Sequence, residues 1–247
     1  MNRWAVFLDL EGISKVFPEN GRRLYVPFDA SLDALCRIGK NVYPKSPYRL
    51  FAHQVGGDGL IIVSEFSEGK PEVPISIAVL LMQTFLKMGA VAKGGISEGT
   101  YGDYQGCFPS LEKYKKIGDC TFGIGRGRLT IFSTMGTALI NSHNYASRPP
   151  RGCRLAIDTA LINSIPDGVV TYEYAKEKDK IIIIDWIHTQ TKTMEEIKKL
   201  AGLCLPTTEQ LEGMLINYIE KTGELKNTEW GINSLHFNGC CKKSGRR

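Results

Sequence analysis

The sequence predicts an α+β fold that begins with a βαββαβ unit. Three observations favour this fold class. The first hundred residues alternate short β-branched and aromatic runs with two longer segments of helical pattern. Two of those runs are separated by the turn sequence "GGDG", residues 56–59, which is typical of a β-hairpin. No linker, repeat or low-complexity segment divides the 247 residues, of which 43% are hydrophobic, so one globular domain is expected.

The elements of the first hundred residues follow from their hydrophobic pattern and end signals. Residues 3–10, "RWAVFLDL", are typical of a central strand. Residues 18–30 are rich in Pro, Gly and Asn and are expected to form a loop, and a helix is predicted from Asp29, as its cap, to Gly39. The remaining elements are strands over 48–55 and 59–66, a helix over 71–88 and a strand over 90–99. This order is the ferredoxin-like βαββαβ unit.

The second half of the chain is predicted to add strands and helices to this unit. In chain order they are a strand over 128–135, a helix over 136–147, a strand over 153–158, a hairpin over 169–187 and two closing helices. Thr193-x-x-Glu196 and Thr207-x-x-Gln210 are capping-box patterns that predict where the two closing helices begin. We therefore expect a main domain over 1–190, a helical extension of it over 191–240 and a basic flexible tail over 241–247.

Charge and cysteine content exclude several classes of protein. Of the net charge of +5, Lys242, Lys243, Arg246 and Arg247 contribute four, so the body of the chain is nearly neutral and no nucleic-acid partner is indicated. The seven cysteines contain no C-x-x-C pair, which suits a reducing cytosol rather than a zinc or disulfide framework. Neither a signal peptide nor an apolar run of the ~20 residues needed to cross a membrane is present, so a cytoplasmic protein without a membrane partner is expected.

Two acidic residues stand at the ends of strands that are expected to be neighbours. Asp9 ends the first strand, and Asp58 lies in the hairpin turn. We expect both carboxylates at one rim of the sheet, where paired acids suit hard divalent cations. The backbone N–H groups that follow Asp9, in "LEGIS", suit phosphate oxygens. Singly, Asp9 is interpreted as a helix cap and Asp58 as a turn residue; together they favour a metal site.

Four segments in this order resemble the class III nucleotidyl cyclases. They are "FLDLEGIS", "HQVGGDGLIIVSEF", "AKGGISEG" and "IFSTMGTALINSHNYAS…CRLAID". The resemblance covers about residues 4–158. It implies the class III cyclase fold, which is a ferredoxin-like core with added C-terminal strands and helices, and it makes 1–190 the catalytic domain. It also implies a head-to-tail homodimer with active sites at the interface.

The resemblance implies a reaction and a set of site residues. A nucleoside triphosphate would be converted to its 3′,5′-cyclic monophosphate and pyrophosphate with two Mn²⁺ or Mg²⁺ ions per active site. Asp9, Asp58 and the carbonyl of Leu10 would hold the metals. The implied substrate-binding residues are Leu10, Gly12, Ile13, Gln54, Gly57, Lys93 and Ser133.

The positions that would read the base depart from the purine pattern. Adenylate cyclases of this family carry Lys three residues before the Gly-Asp glycine and Asp or Thr three residues before the glycine of the later helix. Here these positions are Gln54 and Ser133, and Gln54 does not match the Glu of guanylate cyclases either. A glutamine both donates and accepts, so it suits a pyrimidine edge. The chain therefore most resembles the bacterial antiphage pyrimidine cyclases of Pycsar systems, whose cyclic UMP or cyclic CMP activates a separate effector, and UTP is expected before CTP.

The position that would stabilise the transition state also departs from the family. The family places Asn four and Arg eight residues after the glycine of the later helix, where this chain has Ile140 and Asn144. Asn144 is the candidate for contact with the developing charge. Asn141, Arg148 and Arg151 lie near enough in sequence to be alternatives.

Other interpretations stay open at this point. One alternative is an adenylate or guanylate cyclase, which would carry out the same reaction on a purine nucleotide. Another is a catalytically inactive module that only binds nucleotide, and the absence of the family Arg at position 144 favours this alternative. "GGDG" also resembles the "GGDEF" signature of diguanylate cyclases, but Gly59 and Leu60 replace its Glu-Phe half. An RNA-binding ferredoxin-like domain would need an aromatic strand signature that this chain lacks.

Overall fold

The computed structural model describes residues 2–12, 22–42, 50–64, 71–103, 115–118, 120–131, 134–176, 179–221 and 226–240. Twelve strands lie within these ranges, in three sheets. In chain order they are β1 (Asn2–Leu10), β2 (Leu50–Val55), β3 (Gly59–Ser64), β4 (Ala92–Thr100), β5 (Gly102–Asp103), β6 (Lys116–Gly118), β7 (Thr121–Ile124), β8 (Gly127–Thr130), β9 (Thr134–Met135), β10 (Leu155–Asp158), β11 (Thr171–Lys176) and β12 (Asp179–Ile184).

As far as the chain is described, the main sheet has seven strands in the order β11-β12-β10-β4-β1-β3-β2. β1 is the central strand of the first half, antiparallel to both β3 and β4. The order β4-β1-β3-β2 is that of a ferredoxin-like unit, so the predicted α+β fold is confirmed. β10 extends the sheet parallel to β4, and β12 and β11 follow antiparallel. The predicted hairpin over 169–187 is thus an edge of the same sheet.

Six helices and one 3₁₀ segment lie within the described residues. They are α1 (Arg22–Val42), α2 (Glu72–Lys87), α3 (Thr137–Ser147), the 3₁₀ segment (Thr159–Ser164), α4 (Lys192–Leu200), α5 (Thr208–Lys221) and α6 (Glu229–His236). α2 is buried from Pro74 to Leu86, because α1, α4 and α5 cover its outer side and β1 and β4 its inner side. None of the described helices is long and apolar enough to cross a membrane.

The two faces of β1 face different layers of the molecule. Trp4, Val6 and Leu8 join the large core formed with α2. Ala5 and Phe7 belong to a smaller core on the opposite face, which α3 covers. Because side chains alternate along a strand, the carboxylate of Asp9 belongs to the α3 face.

Glycines in β4 allow α3 to lie directly on the sheet. A side-chain carbon at Gly95 would stand 2.1 Å from the backbone oxygen of Ser142, and one at Gly99 would stand 2.5 Å from Oγ1 of Thr137. Any larger residue would force the helix away from the strand. The glycines of "AKGGISEG" therefore have a packing reason besides the family pattern.

The predicted loop over 18–30 is wrong where the structure describes it, because α1 begins at Arg22. The helix also continues through Asp29 and Gly39, which were expected to cap and to stop it. Its apolar side, with Ala34 and Ile38, packs into the core against α2. This burial outweighs the weak helix propensity of single Gly and Pro residues.

In its described residues, the C-terminal extension has three helices where the sequence predicted two. The eight-residue α6 escaped prediction because it is short and contains Gly231, and Thr228 caps it by accepting a hydrogen bond from the Gly231 amide at 3.2 Å. Its buried residues include Gly231 and Ser234, so it carries no long apolar stripe.

One of the two predicted capping boxes is confirmed. The Thr207 amide donates to Oε1 of Gln210 at 2.9 Å, and the Gln210 amide donates to Oγ1 of Thr207 at 3.4 Å. The other is wrong: Thr191 caps α4, and the hydroxyl of Thr193 donates to Oε1 of Glu72 at 2.7 Å. Tertiary contact with α2 thus takes the side chain that a capping box would use.

Candidate active site

Asp9 and Asp58 lie side by side at one rim of the main sheet. In the ladder between β1 and β3, Asp9 is paired with Gly59. The amide of Leu10 donates to the backbone oxygen of Asp58 at 3.3 Å, which continues the ladder into the turn. Gly57 in this turn has a φ of +100°, a conformation that favours glycine. The hairpin turn therefore holds Asp58 next to the end of β1.

The electrostatics of Asp58 reflect this arrangement. Burial raises the pKa of Asp58, and the negative charge of Asp9 raises it further. A backbone hydrogen bond and the positive charge of Lys93 act in the opposite direction but do not cancel the rise. A cation placed beside Asp58 would offset the negative charge of Asp9 that raises this pKa.

Lys93 supplies such a cation from within the chain. It stands opposite Asp9 in the ladder between β1 and β4. Its Nζ lies 3.1 Å from Oδ2 of Asp9 and 2.9 Å from Oε1 of Glu11. Burial by itself lowers the pKa of Lys93, but hydrogen bonds and charges from Glu11 and Asp9 outweigh it, so the pKa is raised. The ammonium is thus shared by two carboxylates.

Glu11 is a third acid at this rim that sequence reasoning missed. Its amide donates to the Val91 oxygen at 2.9 Å, and its Oε2 accepts a hydrogen bond from Nε1 of Trp230 in α6 at 3.0 Å. The side chain of Glu11 is only 19% exposed. Its place in "DLEG", two residues after Asp9, was a usable signal, whereas Trp230 is 219 residues away in sequence.

The bend that follows β1 lies close to the C-terminal extension. Gly12 has a φ of +83°, and a side-chain carbon there would lie 3.8 Å from the hydroxyl oxygen of Tyr218 in α5. Ile13, the next predicted substrate contact, lies outside the described residues, as does the helix start expected there. The described part of this bend therefore approaches α5 at Tyr218.

Gln54 occupies the hairpin that carries Asp58. Its Nε2 donates to the backbone oxygen of Gly57 at 2.5 Å, which braces the turn. In the β2–β3 ladder Gln54 is paired with Leu60, whose side chain joins the α2 core, whereas Val55 is paired with Gly59. Paired residues share a face, so Gln54 belongs to the α2 face of the sheet. Ser133, the other predicted base contact, lies outside the described residues.

Asn144 lies on the exposed side of α3. The helix is held to β1 by contact of the His143 and Phe7 rings, whose centroids are 4.9 Å apart. Within the described residues, the side chain of Asn144 makes no hydrogen bond to Asp9 or Asp58. The guanidinium of Arg148, one of the alternatives, stacks over the Tyr145 ring at 5.0 Å.

The donor set at the rim fits a divalent cation that shares its ligands with a substrate. Among the residues that the structure describes, no three His, Cys, Asp or Glu side chains are grouped to hold a metal by themselves. Mg²⁺ is commonly bound by one or two carboxylates together with substrate phosphates and water. The carboxylates of Asp9 and Asp58 are of this kind, and Lys93 already places a positive charge beside Asp9.

Comparison with known proteins finds likeness in structure only. No protein-family model and no curated protein matches the chain. The chain is structurally similar to adenylyl and guanylyl cyclase domains. Guanylyl cyclase Cya2 has a TM-score of 0.49 at 11% identity, over 78% of this chain and 94% of that one. A bacterial light-regulated adenylyl cyclase has a TM-score of 0.48 at 10% identity, over 81% of this chain and 97% of that one. Adenylyl cyclase CyaB from P. aeruginosa has a TM-score of 0.44 at 12% identity, over 74% of this chain and 93% of that one.

Proposed function

We propose that this protein is a nucleotidyl cyclase that converts a nucleoside triphosphate to its 3′,5′-cyclic monophosphate and pyrophosphate. The observation that carries the proposal is the pairing of Asp9 and Asp58 at one rim of a ferredoxin-like sheet, by the β1–β3 ladder and the turn bond to Leu10. Two carboxylates in this arrangement suit a reaction whose substrate brings phosphate oxygens to complete the metal ligands.

The residues at the rim have distinct roles in this proposal. Asp9, Asp58 and the Leu10 carbonyl would hold two Mn²⁺ or Mg²⁺ ions. Such ions, when bound, assist deprotonation of the 3′-hydroxyl and neutralise the leaving pyrophosphate. Gly12 and Gly57 would bring backbone close to the phosphates, and Ile13 would add a further contact.

Lys93 has a second role in the proposed complex. In the structure its ammonium is shared by Asp9 and Glu11. With a substrate at the rim, the same ammonium would lie beside the phosphate chain. A point charge on a flexible stem suits such a change of partner.

We further propose a pyrimidine substrate, UTP before CTP, whose cyclic product is a second messenger of antiphage defence for a separate effector. Gln54 and Ser133 are neutral where purine cyclases carry a purine-reading pair. An adenylate or guanylate cyclase, or an inactive nucleotide-binding module, is the alternative.

The active form in this proposal is a homodimer with the site at its interface. Asn144 is exposed and makes no hydrogen bond to the acid pair of its own chain within the described residues. The same region of the surface exposes Met135 and Ile140, at 53% and 60%. These features support a role for Asn144 at the acid pair of a second copy, where it would stabilise developing charge.

One assay tests the proposed reaction. The purified protein is incubated with Mn²⁺ and each nucleoside triphosphate singly, and cyclic mononucleotide and pyrophosphate are measured. We expect turnover, highest with UTP, and its loss in Asp58→Asn with an unchanged circular dichroism spectrum. Asp33→Asn, an exposed carboxylate on α1, is the matched control and should keep full activity.

Each other outcome contradicts a stated part of the proposal. Activity that survives Asp58→Asn would show that the metal assignment is wrong. A cyclic purine dinucleotide would contradict the reaction class, a preferred purine would contradict the base assignment, and no turnover of any triphosphate would favour the binding module.

A further inference from the structure

We propose that Trp230 is a positioning residue for the metal ligand Asp9, acting through Glu11 and Lys93. The inference rests on the proposed function for its effect on turnover, while its test is a measurement of metal binding. The contacts that carry it join α6, the last helix of the chain, to the rim of the main sheet.

A single ammonium group is shared between two carboxylates. Nζ of Lys93 is 2.9 Å from Glu11 and 3.1 Å from Asp9. Glu11 and Asp9 therefore compete for the same charge, and any change that weakens the bond to Glu11 strengthens the bond to Asp9. A cation at the acid pair must in turn compete with Lys93 for Asp9.

Trp230 holds the other oxygen of Glu11. Its Nε1 donates to Oε2 at 3.0 Å, which leaves Oε1 for Lys93. Glu11 is only 19% exposed, so water does not fully replace a donor that is lost there. A hydrogen bond to a charged acceptor is also among the stronger kinds.

The helix that carries Trp230 is anchored independently of the rim. Asn233 donates through Nδ2 to the Arg151 oxygen at 2.9 Å, and Oγ of Ser234 accepts from the Cys153 amide at 2.9 Å. The indole is thus presented to Glu11 from a fixed position. The consequence is that Glu11 draws Lys93 toward itself and leaves Asp9 available for a metal ion.

The opposite signs expected from different variants make the inference testable. Affinity for Mn²⁺ alone, without nucleotide, is measured on the full chain by loss of the free-ion electron paramagnetic resonance signal. We expect binding about threefold weaker in Trp230→Phe and about tenfold weaker in Glu11→Gln, since a hydrogen bond and a charged partner are lost. In Lys93→Met binding should be tighter, because the competitor for Asp9 is removed.

A double variant tests whether Trp230 affects metal binding through Lys93 or independently of it. In the Lys93→Met background, Trp230→Phe should have no further effect on Mn²⁺ binding, because the two changes act on one chain of contacts. The matched control is Ile232→Ala, which changes a side chain of α6 that is 54% exposed without touching Glu11 or the anchors of the helix, and which should leave Mn²⁺ binding unchanged.

Several results would overturn the inference. They are unchanged Mn²⁺ affinity in both Trp230→Phe and Glu11→Gln, equal weakening by Ile232→Ala, or a Trp230→Phe effect that persists with Lys93→Met. The wild-type protein could fail to cyclise any triphosphate while the variants show the expected changes in Mn²⁺ affinity. This result would contradict the proposed function but not the positioning role of Trp230.

Discussion

Lys93 lies directly opposite Asp9 in the β1–β4 ladder, and its ammonium stands 3.1 Å from Oδ2 of Asp9. The register places both side chains on one face of the sheet, so the contact follows from strand pairing. The two side chains are 31% and 24% exposed, and a pair this accessible adds little to folding stability. Its importance lies in the charge of the rim.

Replacing Asp9 should change the titration of its neighbour. In Asp9→Asn we expect the pKa of Asp58 to fall, because the second cause of its rise, the charge of Asp9, is removed. The pKa should stay above the ordinary aspartate value, because burial, the largest cause, remains. Carboxyl nuclear magnetic resonance titration of the metal-free protein measures this. An unchanged pKa of Asp58 would show that the two carboxylates do not face each other.

Two glycine-to-alanine changes should have effects of opposite sign. Gly95→Ala places a carbon 2.1 Å from the Ser142 oxygen, so α3 must move and stability should fall by about 3 kcal/mol. Gly213 lies on the exposed side of α5, and a side-chain carbon there would have nothing within 4 Å. In Gly213→Ala the free energy of unfolding should therefore rise by about 0.5–1 kcal/mol. Urea unfolding measures both. Similar effects of the two changes would contradict the packing of α3 on β4.

The buried guanidinium of Arg154 should be irreplaceable by lysine. Arg154 is 2% exposed, and its three nitrogens donate to four backbone oxygens at the end of α3, those of Tyr145, Ala146, Arg148 and Pro150. A lysine ammonium cannot reproduce this forked set of hydrogen bonds. We therefore expect the free energy of unfolding to fall by about 2–4 kcal/mol in Arg154→Lys.

The same change at an exposed arginine is the control for Arg154. Arg128→Lys in β8 should stay within about 0.5 kcal/mol of the wild-type free energy of unfolding. Equal effects of the two changes would show that the four carbonyl contacts do not stabilise the fold.

Alkaline pH should reveal the hydrogen bond from Tyr145 to Asp158. Burial, then this hydrogen bond and the charge of Asp158, raise the pKa of Tyr145 to about 12. An unfolded tyrosine ionises near pH ~10, so the folded state holds this proton longer. The contribution to stability is therefore complete below pH ~10 and is lost as the pH rises through the folded pKa.

Stability against pH in Tyr145→Phe measures that contribution. The variant should lack the part of the stability loss that the wild-type protein shows between pH ~10 and ~12. In Asp158→Asn the pKa of Tyr145 should fall but stay raised, because burial remains. Identical pH profiles of Tyr145→Phe and wild type would contradict this assignment.

Much of the fold was predictable because local patterns and tertiary demands agree. β1, the hairpin of β2 and β3, and α2 lie where hydrophobic runs and glycine turns predicted them. The prediction failed where tertiary contacts override local signals. α1 runs through Gly39 because its apolar side is buried, and Thr193 contacts Glu72 where a capping bond was expected.

The candidate site divides in the same way. The proximity of Asp9 and Asp58 was predicted from the strand order, because topology determines which strands are neighbours in a sheet. Glu11 and Trp230 were not, because their contact joins residues 219 apart and leaves no periodic signal. The partly buried network of Asp185, His188 and Glu212, which connects the end of β12 to α5 by contacts of 2.9 and 2.8 Å, was missed for the same reason.

The sequence by itself determined the strand order, the hairpin turn and the two acids at the strand ends, because each depends on a short pattern and on the rules of sheet connection. Only the tertiary structure decided which charge balances those acids and what holds it there. The shared ammonium of Lys93 and the indole of Trp230 depend on how the C-terminal helices dock, and docking is set by side-chain shape summed over the whole interface.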